Sequence, residues 1–242
     1  IQNMVGDLMM DILKDRYSHL KSRKCFDNVL ELGSGTGEFS KKFLDLFDVK
    51  LMHLIDISPD MVKKSQSKLA SKNIEYSIKD FDFYNKFEGK NFILSNMSLH
   101  WSSDIKKLIE NIIRKLDKNS LFFFSVPNHS SFKIINDIFS SNNKSKVLNI
   151  LPDQQKILNI FDKEKFDAKC KTFNLQKDYK DSISFLKELK QIGANAKTIK
   201  DLNLKKGKKI HDGIFFLRKF LNKNIVIDYS ISCFLIRRKN VI

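Results

Sequence analysis

The stretch Val29-Leu30-Glu31-Leu32-Gly33-Ser34-Gly35-Thr36-Gly37-Glu38 decides the fold of this chain. An apolar run with one acidic residue passes into three glycines at alternate positions, in a chain that has only 8 glycines. Glycines placed this densely let the backbone turn sharply and let a ligand come close where a Cβ would collide. Apolar residues at helical spacing follow in 38–44, so the stretch predicts a strand, a tight loop and a helix start. A helix start of this kind favours an anionic group.

Two classes of ligand bind to such a loop in known enzymes. Dinucleotide enzymes prefer the spacing G-x-G-x-x-G, whereas this chain has G-x-G-x-G with Glu31 two residues before the first glycine. The pattern resembles motif I of the class I S-adenosylmethionine (AdoMet) methyltransferases. The resemblance implies that Gly33, Ser34, Gly35 and Gly37 hold the methionyl part of AdoMet and that Glu31 orients its amino end. A glycine-rich turn that binds nothing is the alternative.

The next apolar run, 50–56, ends in Asp56, about 20 residues beyond the glycine loop. At this position an acid can bind both ribose hydroxyls, because ligands lie at the carboxyl ends of parallel strands. An ordinary surface carboxylate is the alternative. Ser58-Pro59-Asp60 predicts an N-cap, a proline at the first helical position and a first-turn acid. Ile57 and Met61 flank these residues and complete this part of the expected cofactor site.

A third predicted strand, 74–79, is followed by Asp80 and Phe81. In the methyltransferases that the loop resembles, an acid at this point commonly meets the adenine amino group, and an apolar neighbour lies against the ring. The resemblance therefore implies that Asp80 and Phe81 bind adenine. Asp82 lies two residues further on, and the sequence alone leaves it open as the acid.

The fourth predicted strand, 91–96, runs into Met97-Ser98-Leu99-His100-Trp101. The loop after this strand usually faces the reacting methyl group in this fold, so Asn96 is expected at the cofactor, and His100 and Trp101 are candidates for the substrate pocket. A packing tryptophan and a structural histidine are the alternatives. Amino-group methylases of nucleic-acid bases typically carry prolines here, and their absence near Asn96 argues against that class.

The remaining pattern predicts an α/β protein with the class I methyltransferase (Rossmann-like) fold, a seven-stranded, mainly parallel sheet flanked by helices. Helical spacing predicts helices over 4–20, 105–116 and 182–192, and apolar runs predict strands over 121–126, 170–178 and 225–236. Two further helical patterns, 132–139 and 151–161, predict a helical lid insertion over about 128–165, after strand five. At 242 residues and 42% hydrophobic, the chain suits one domain over 1–242.

The amino-acid composition limits the cellular compartment and the partners that we expect for the protein. No apolar run approaches the ~20 residues that span a bilayer, and no secretory signal is visible. We therefore expect no membrane partner. Cys25, Cys170 and Cys233 show no metal-ligand spacing, so we expect reduced thiols and no bound metal. Reduced thiols are typical of a cytoplasmic protein, which is the location that we expect. Lysine greatly outnumbers arginine among the basic residues that give the net charge of +16. This bias indicates drift in the amino-acid composition and disfavours a nucleic-acid partner, because arginine is the better residue for bidentate phosphate contacts. An acidic protein partner is the functional explanation that the charge favours.

Beyond motif I, the chain resembles one branch of this superfamily, the malonyl-acyl-carrier-protein O-methyltransferases of biotin synthesis. The resemblance lies in 95–101, in Leu151-Pro152-Asp153 and in 185–195, the last of these outside the cofactor half. It implies AdoMet-dependent O-methylation of the free carboxylate of malonyl-acyl-carrier protein or malonyl-CoA. A methyltransferase acting on another small molecule or on RNA, and a non-catalytic assembly factor with the same fold, are the alternatives.

Overall fold

The computed structural model describes residues 1–141, 151–191 and 224–239. Within these residues a seven-stranded sheet has the order β3-β2-β1-β4-β5-β7-β6. The strands are β1 (Cys25–Leu32), β2 (Asp48–Asp56), β3 (Ile74–Ile78), β4 (Phe92–Asn96), β5 (Leu121–Pro127), β6 (Phe166–Tyr179) and β7 (Ile225–Arg238). The sheet is mainly parallel, which confirms the fold class that the sequence predicts.

Helices connect the strands. They are α1 (Gln2–Tyr17), α2 (Glu38–Leu46), α3 (Pro59–Lys68), α4 (Ile105–Lys115), α5 (Lys133–Ser141), α6 (Gln154–Leu158) and α7 (Ser182–Gln191), with a 3-10 helix over Leu99–Trp101. The predicted start of α3 is confirmed, because the Ser58 hydroxyl accepts the backbone N–H of Met61 and Pro59 occupies the first helical position. The predicted helix end at residue 192 lies outside the described residues.

The register of the central strands brings their carboxyl ends to one edge. β1 pairs in parallel with β2 and β4, so Glu31 lies beside Leu54 on one side and Leu94 on the other. β2 pairs in parallel with β3, which places Asp56 beside Ile78. The ends of these strands form the edge at which parallel sheets bind their ligands. β7 runs antiparallel to β5.

The core lies between the sheet and the helices that cover it. Every residue of β5 is buried, as expected for a strand covered on both faces. The apolar face of α4, formed by Leu108, Ile109 and Ile112, packs into the same cluster as Phe122 and Phe124. Aromatic stacking continues into β7, where the rings of Phe124 and Phe234 lie 4.8 Å apart between centroids.

The chain forms two compact units. The first comprises Ile1–Pro127, Pro152–Phe173 and Ile231–Ile242, and the second comprises Asn128–Leu151 and Asn174–Ser230. In the second unit, the hydroxyls of Tyr179 and Tyr229 lie 2.9 Å apart beside the rings of Phe132 and Phe185. α5 agrees with the first helical pattern of the predicted insertion, 132–139, whereas α6 is a helix of 5 residues within the second pattern, 151–161. Residues 142–150 lie outside the described residues. The single domain and its lid stay predictions.

No helix in the described ranges has both the length and the apolar character needed to cross a membrane. Cys25, Cys170 and Cys233 are free thiols.

Candidate functional site

The glycine loop connects β1 to α2 and is held against the end of β2. Gly33, Gly35 and Gly37 all have positive φ angles, of 69°, 55° and 78°. The backbone N–H groups of Gly33 and Ser34 both donate to the carbonyl of Ile55, at 2.9 and 3.0 Å. A left-handed conformation costs other residues about 1–2 kcal/mol each, so this path favours glycine.

The three glycines differ in what surrounds them. A Cβ on Gly33 would lie 1.8 Å from Ser98 Oγ, and one on Gly37 would lie 2.6 Å from Ser65 Oγ. These two glycines are therefore required by the packing of the protein itself. A Cβ on Gly35 would have no atom within 4 Å. The open space at Gly35 is where a ligand can approach the backbone.

Asp56, at the end of β2, is tied to the loop by main-chain hydrogen bonds. Its Oδ2 accepts the N–H of Gly35 at 2.8 Å, and its Oδ1 accepts the N–H of Ser58 at 2.9 Å. Each carboxylate oxygen can accept a further hydrogen bond, because an ionised carboxylate offers about four acceptor sites. The carboxylate is therefore oriented and retains sites for two hydroxyl donors.

Glu31 lies beneath the loop with only 1% of its surface exposed. The Ser40 hydroxyl, from α2, donates to Glu31 Oε2 at 2.5 Å. Burial raises the pKa of Glu31 to about 8, the Ser40 hydrogen bond opposes this shift, and the negative charge of Asp56 adds to it. The carboxyl group is therefore mostly protonated at neutral pH without a ligand, and a nearby cation would favour its ionised form.

The structure separates the two acids that follow β3. The carboxylate of Asp82 accepts hydrogen bonds from Ser102 Oγ at 2.5 Å and from the N–H and hydroxyl of Ser103 at 2.7 and 2.6 Å. Asp82 thus anchors the segment that leads into α4. Asp80 Oδ1 accepts the Asp82 N–H at 2.9 Å. The acceptor capacity that Asp80 keeps makes it the better adenine-binding candidate of the two.

Apolar side chains line the same edge of the sheet. Phe81 is half-buried, and its Cε1 would lie 3.7 Å from a Cβ on Gly33. Ile57, directly after Asp56, is 66% exposed, and Met61 is half-buried at the start of α3. Ile78 is 54% exposed and was not among the residues that the sequence indicated. Its position opposite Asp56 at the end of β3 is the signal that could have identified it.

The side chain of Asn96 has partners within the protein. Its Nδ2 donates to the carbonyl of Gln2 at 3.0 Å, and its Oδ1 accepts the Ser125 hydroxyl at 2.9 Å. These bonds connect the start of α1 to the carboxyl ends of β4 and β5. The contact between Asn96 and the cofactor stays a prediction.

His100 and Trp101 lie in the 3-10 helix after β4, with ring centroids 4.5 Å apart. His100 Nδ1 is buried and has no hydrogen-bond partner among the described residues. Burial lowers the pKa of His100 to about 3, so its imidazole is neutral at physiological pH. The buried hydroxyl of Ser34 also lacks a partner within the described part of the chain. Buried polar atoms without partners commonly mark a place for a ligand or an ordered water.

These residues fit the chemical groups of AdoMet. The open space at Gly35 and the unpartnered Ser34 hydroxyl suit a ligand that lies against the loop. Three acids match its donors: Glu31 the ammonium group, Asp56 the ribose hydroxyls and Asp80 the adenine amino group. These assignments are predictions for each residue. The fit of residue types agrees with the motif I spacing in the sequence.

Comparison with known proteins identifies the class. A family model described as a methyltransferase domain matches residues 7–179. The YcgJ protein of Bacillus subtilis aligns over 97% of this chain and all of its own, with 13% identity and a TM-score of 0.63. Phosphoethanolamine N-methyltransferase 2 of Haemonchus contortus, solved with phosphomonomethylethanolamine and S-adenosylhomocysteine, aligns over 97% of this chain and 53% of its own, with 16% identity and a TM-score of 0.57. The fold is that of the class I methyltransferases, and the chain is an AdoMet-dependent methyltransferase.

A curated relative narrows the class. Malonyl-[acyl-carrier protein] O-methyltransferase 1 of Ilyobacter polytropus is 30% identical over 203 residues, which cover 82% of this chain and 75% of the relative. The chain belongs to the malonyl-[acyl-carrier protein] O-methyltransferase family. It is an enzyme, and its cofactor is S-adenosyl-L-methionine.

Proposed function

We propose that this enzyme methylates the free carboxylate of a malonyl thioester carried by acyl carrier protein or by coenzyme A. The product is the malonyl methyl ester that primes pimeloyl and biotin synthesis. The observation that carries the proposal is the 203-residue likeness to the Ilyobacter polytropus enzyme. A likeness of that length covers 82% of this chain and therefore includes residues outside the cofactor half.

Methyl transfer to a carboxylate requires no acid–base catalysis by the protein. AdoMet supplies a methyl group on a sulfonium, which is electrophilic. A substrate carboxylate with a pKa near ~4 is already ionised at neutral pH, so no general base is required. His100 is neutral because of its lowered pKa, and it therefore does not protonate the carboxylate. In the tautomer with its proton on Nδ1, it can donate one hydrogen bond that orients a substrate oxygen.

Positioning then supplies the catalysis. Aligning the nucleophile with the bond that breaks is worth on the order of 7–11 kcal/mol in favourable cases. The paired rings of His100 and Trp101, with centroids 4.5 Å apart, form a surface against which a substrate can be held. The transfer also removes the charge of the terminal carboxylate, so the product resembles an ordinary acyl chain.

The proposal is tested by incubating the protein with methyl-labelled AdoMet and three acceptors: malonyl-acyl-carrier protein, malonyl-CoA and bulk RNA. We expect base-labile label, typical of a carboxyl ester, in the malonyl thioesters. Acetyl-acyl-carrier protein is the matched control, because it has the same carrier and thioester without the carboxylate. Equal labelling of the acetyl and malonyl forms, or label in RNA alone, would contradict the proposal.

A genetic test addresses the pathway. The gene should restore growth without biotin to a host that lacks its own malonyl methylase. The same gene carrying Gly35→Val, which fills the open space at the loop, should fail to do so while the protein is still produced. Growth with the Gly35→Val variant would show that rescue does not depend on the cofactor site.

A further inference from the structure

A cavity in the first unit lies at the opposite end of the sheet from the glycine loop. It has a volume of about 340 Å³ and is lined by the end of α1, the start of β1, the turn before β5 and the end of β7. β1 runs from Cys25, in this cavity, to Leu32, next to the loop. Seven steps of ~3.3 Å separate the two sites by about 23 Å. The cavity is thus no part of the cofactor site.

The lining is strongly cationic. Arg16, Lys24, Lys118 and Arg237 are among the lining residues, and Asp27 is the single acid among them. The Asp27 carboxylate is already held by Lys50 at 2.6 Å. A cavity with four cations and one neutralised acid favours an anionic occupant.

The cations have few partners of their own. Arg16 and Lys24 lie over the rings of Tyr17 and Phe26, each 5.7 Å from the centroid. Neither they nor Lys118 have an acidic partner within the described ranges. Arg237 approaches Asp167 at 3.9 Å through one nitrogen, so most of its five donors stay available.

The use of arginine at this place is informative. Only six of the 44 basic residues are arginine. Arg23 donates to the carbonyls of Leu44 and Leu46 in the last turn of α2, and Arg238 donates to the carbonyl of Leu116, directly after α4. These two arginines complete helix ends with their forked donors. The guanidinium groups of Arg16 and Arg237 are suited to a second kind of contact, a bidentate pair of hydrogen bonds to phosphate or carboxylate oxygens.

The size of the cavity and its neutral groups define the ligand further. Asn91 Oδ1 accepts the N–H of Asn28 at 2.8 Å, which fixes the amide and leaves its NH2 group as a donor at the cavity. Tyr17 and Phe26 add an aromatic wall. A volume near the lower limit for ligand pockets suits a small molecule. We propose that this cavity binds a small phosphate-bearing anion, independently of the cofactor and of the methyl acceptor.

The test uses calorimetry of the full chain with pyrophosphate at constant ionic strength. We expect saturable binding with one site per chain, and a loss of affinity of at least tenfold in Arg16→Gln/Arg237→Gln. The matched control is Lys107→Gln/Arg114→Gln, which removes the same charge from exposed positions on α4 and should bind within twofold of the unmodified protein. Affinity for S-adenosylhomocysteine should stay within twofold in both variants.

Cys25 provides a second readout, because this exposed thiol lines the cavity. Pyrophosphate should slow its reaction with N-ethylmaleimide in the unmodified protein and not in the double arginine variant. Titrations with inorganic phosphate and with AMP distinguish a simple phosphate from a nucleotide. Absence of saturable binding, equal loss in the α4 control, or competition with S-adenosylhomocysteine would overturn the proposal. None of these outcomes depends on which substrate the enzyme methylates.

Discussion

At the scale of single residues, Glu31 shows how burial sets the chemistry of the site. Its carboxyl group is enclosed beneath the glycine loop, with the Ser40 hydroxyl as a hydrogen-bond donor. Because burial raises its pKa from 4.5 to about 8, the folded protein binds a proton that the unfolded chain releases between these values. The contribution of this group to stability is therefore present at low pH and is lost as the pH rises toward 8.

The variant Glu31→Gln tests this linkage, since glutamine has the same shape and does not ionise. We expect the stability of the variant, relative to the unmodified protein, to increase by about 2–4 kcal/mol between pH 5 and pH 9. Urea unfolding without cofactor at pH 5, 7 and 9 measures this difference and cancels the titration of all other groups. A difference that does not change with pH would show that Glu31 titrates normally.

His100 is the second residue of the candidate site whose pKa the structure shifts. We expect His100→Phe to lower kcat by at least tenfold, about 1.4 kcal/mol, because the variant lacks the Nδ1 atom that has no partner within the described residues. AdoMet affinity should change less than twofold, which isothermal titration measures. His100→Gln keeps a polar group and should retain more activity. An unchanged kcat in His100→Phe would assign the histidine to packing.

At the scale of elements, we expect replacement of glycine by alanine to have different effects at two positions of the glycine loop. Gly35→Ala introduces a Cβ into open space and should fold, at a cost of about 1–2 kcal/mol for the positive φ. Its affinity for S-adenosylhomocysteine should fall more than tenfold. Gly33→Ala places a Cβ against Ser98 and should lower the melting temperature further than Gly35→Ala does. Calorimetric scans and titrations of both variants give the two measurements, and equal melting temperatures would contradict the packing difference.

The start of α5 depends on a residue distant in sequence. The carboxylate of Asp228 accepts the N–H groups of Lys133 and Ile134, at 2.9 and 3.4 Å. We expect Asp228→Ala to destabilise this helix start by about 1 kcal/mol and to accelerate amide hydrogen exchange over 133–137. Asp228→Asn keeps an acceptor and should exchange more slowly than the alanine variant. Unchanged exchange in Asp228→Ala would show that another group caps the helix.

At the scale of the whole molecule, the net charge of +16 concerns partners more than the fold. The sequence indicates two basic groups for docking an acidic carrier protein: Lys133, Lys144 and Lys146, or the 205–209 segment. Of these, only Lys133 lies within the described residues. Lys133 begins α5 in the second unit. The docking surface stays a prediction from charge.

Neutralising Lys205, Lys206, Lys208 and Lys209 to glutamine is the test of that prediction. We expect kcat/KM to fall more for malonyl-acyl-carrier protein than for malonyl-CoA, because the carrier adds an acidic surface that docks through long-range attraction. Raising the salt concentration should reduce this difference between the substrates. Equal losses for both substrates would remove the segment from the docking surface.

The sequence predicted much of the fold because the signals that define it are local. Apolar runs bounded by turns indicated the strands from β1 to β5, and Ser58 with Pro59 marked the start of α3. The choice between Asp80 and Asp82 was beyond the sequence, because it depends on hydrogen bonds from Ser102 and Ser103, about 20 residues away. The partners of Asn96 were hidden for the same reason, since Gln2 lies on α1 and Ser125 on β5.

The sequence by itself determined the class of the protein, because a glycine loop after an apolar strand is a local pattern whose chemistry lies in the backbone. Only the tertiary structure decided which glycine faces a ligand, why Glu31 holds its proton, and that Arg16, Lys24, Lys118 and Arg237 share one cavity. Burial and convergence of charge arise from segments that are far apart in the chain. They exist only once the strands of the sheet lie side by side.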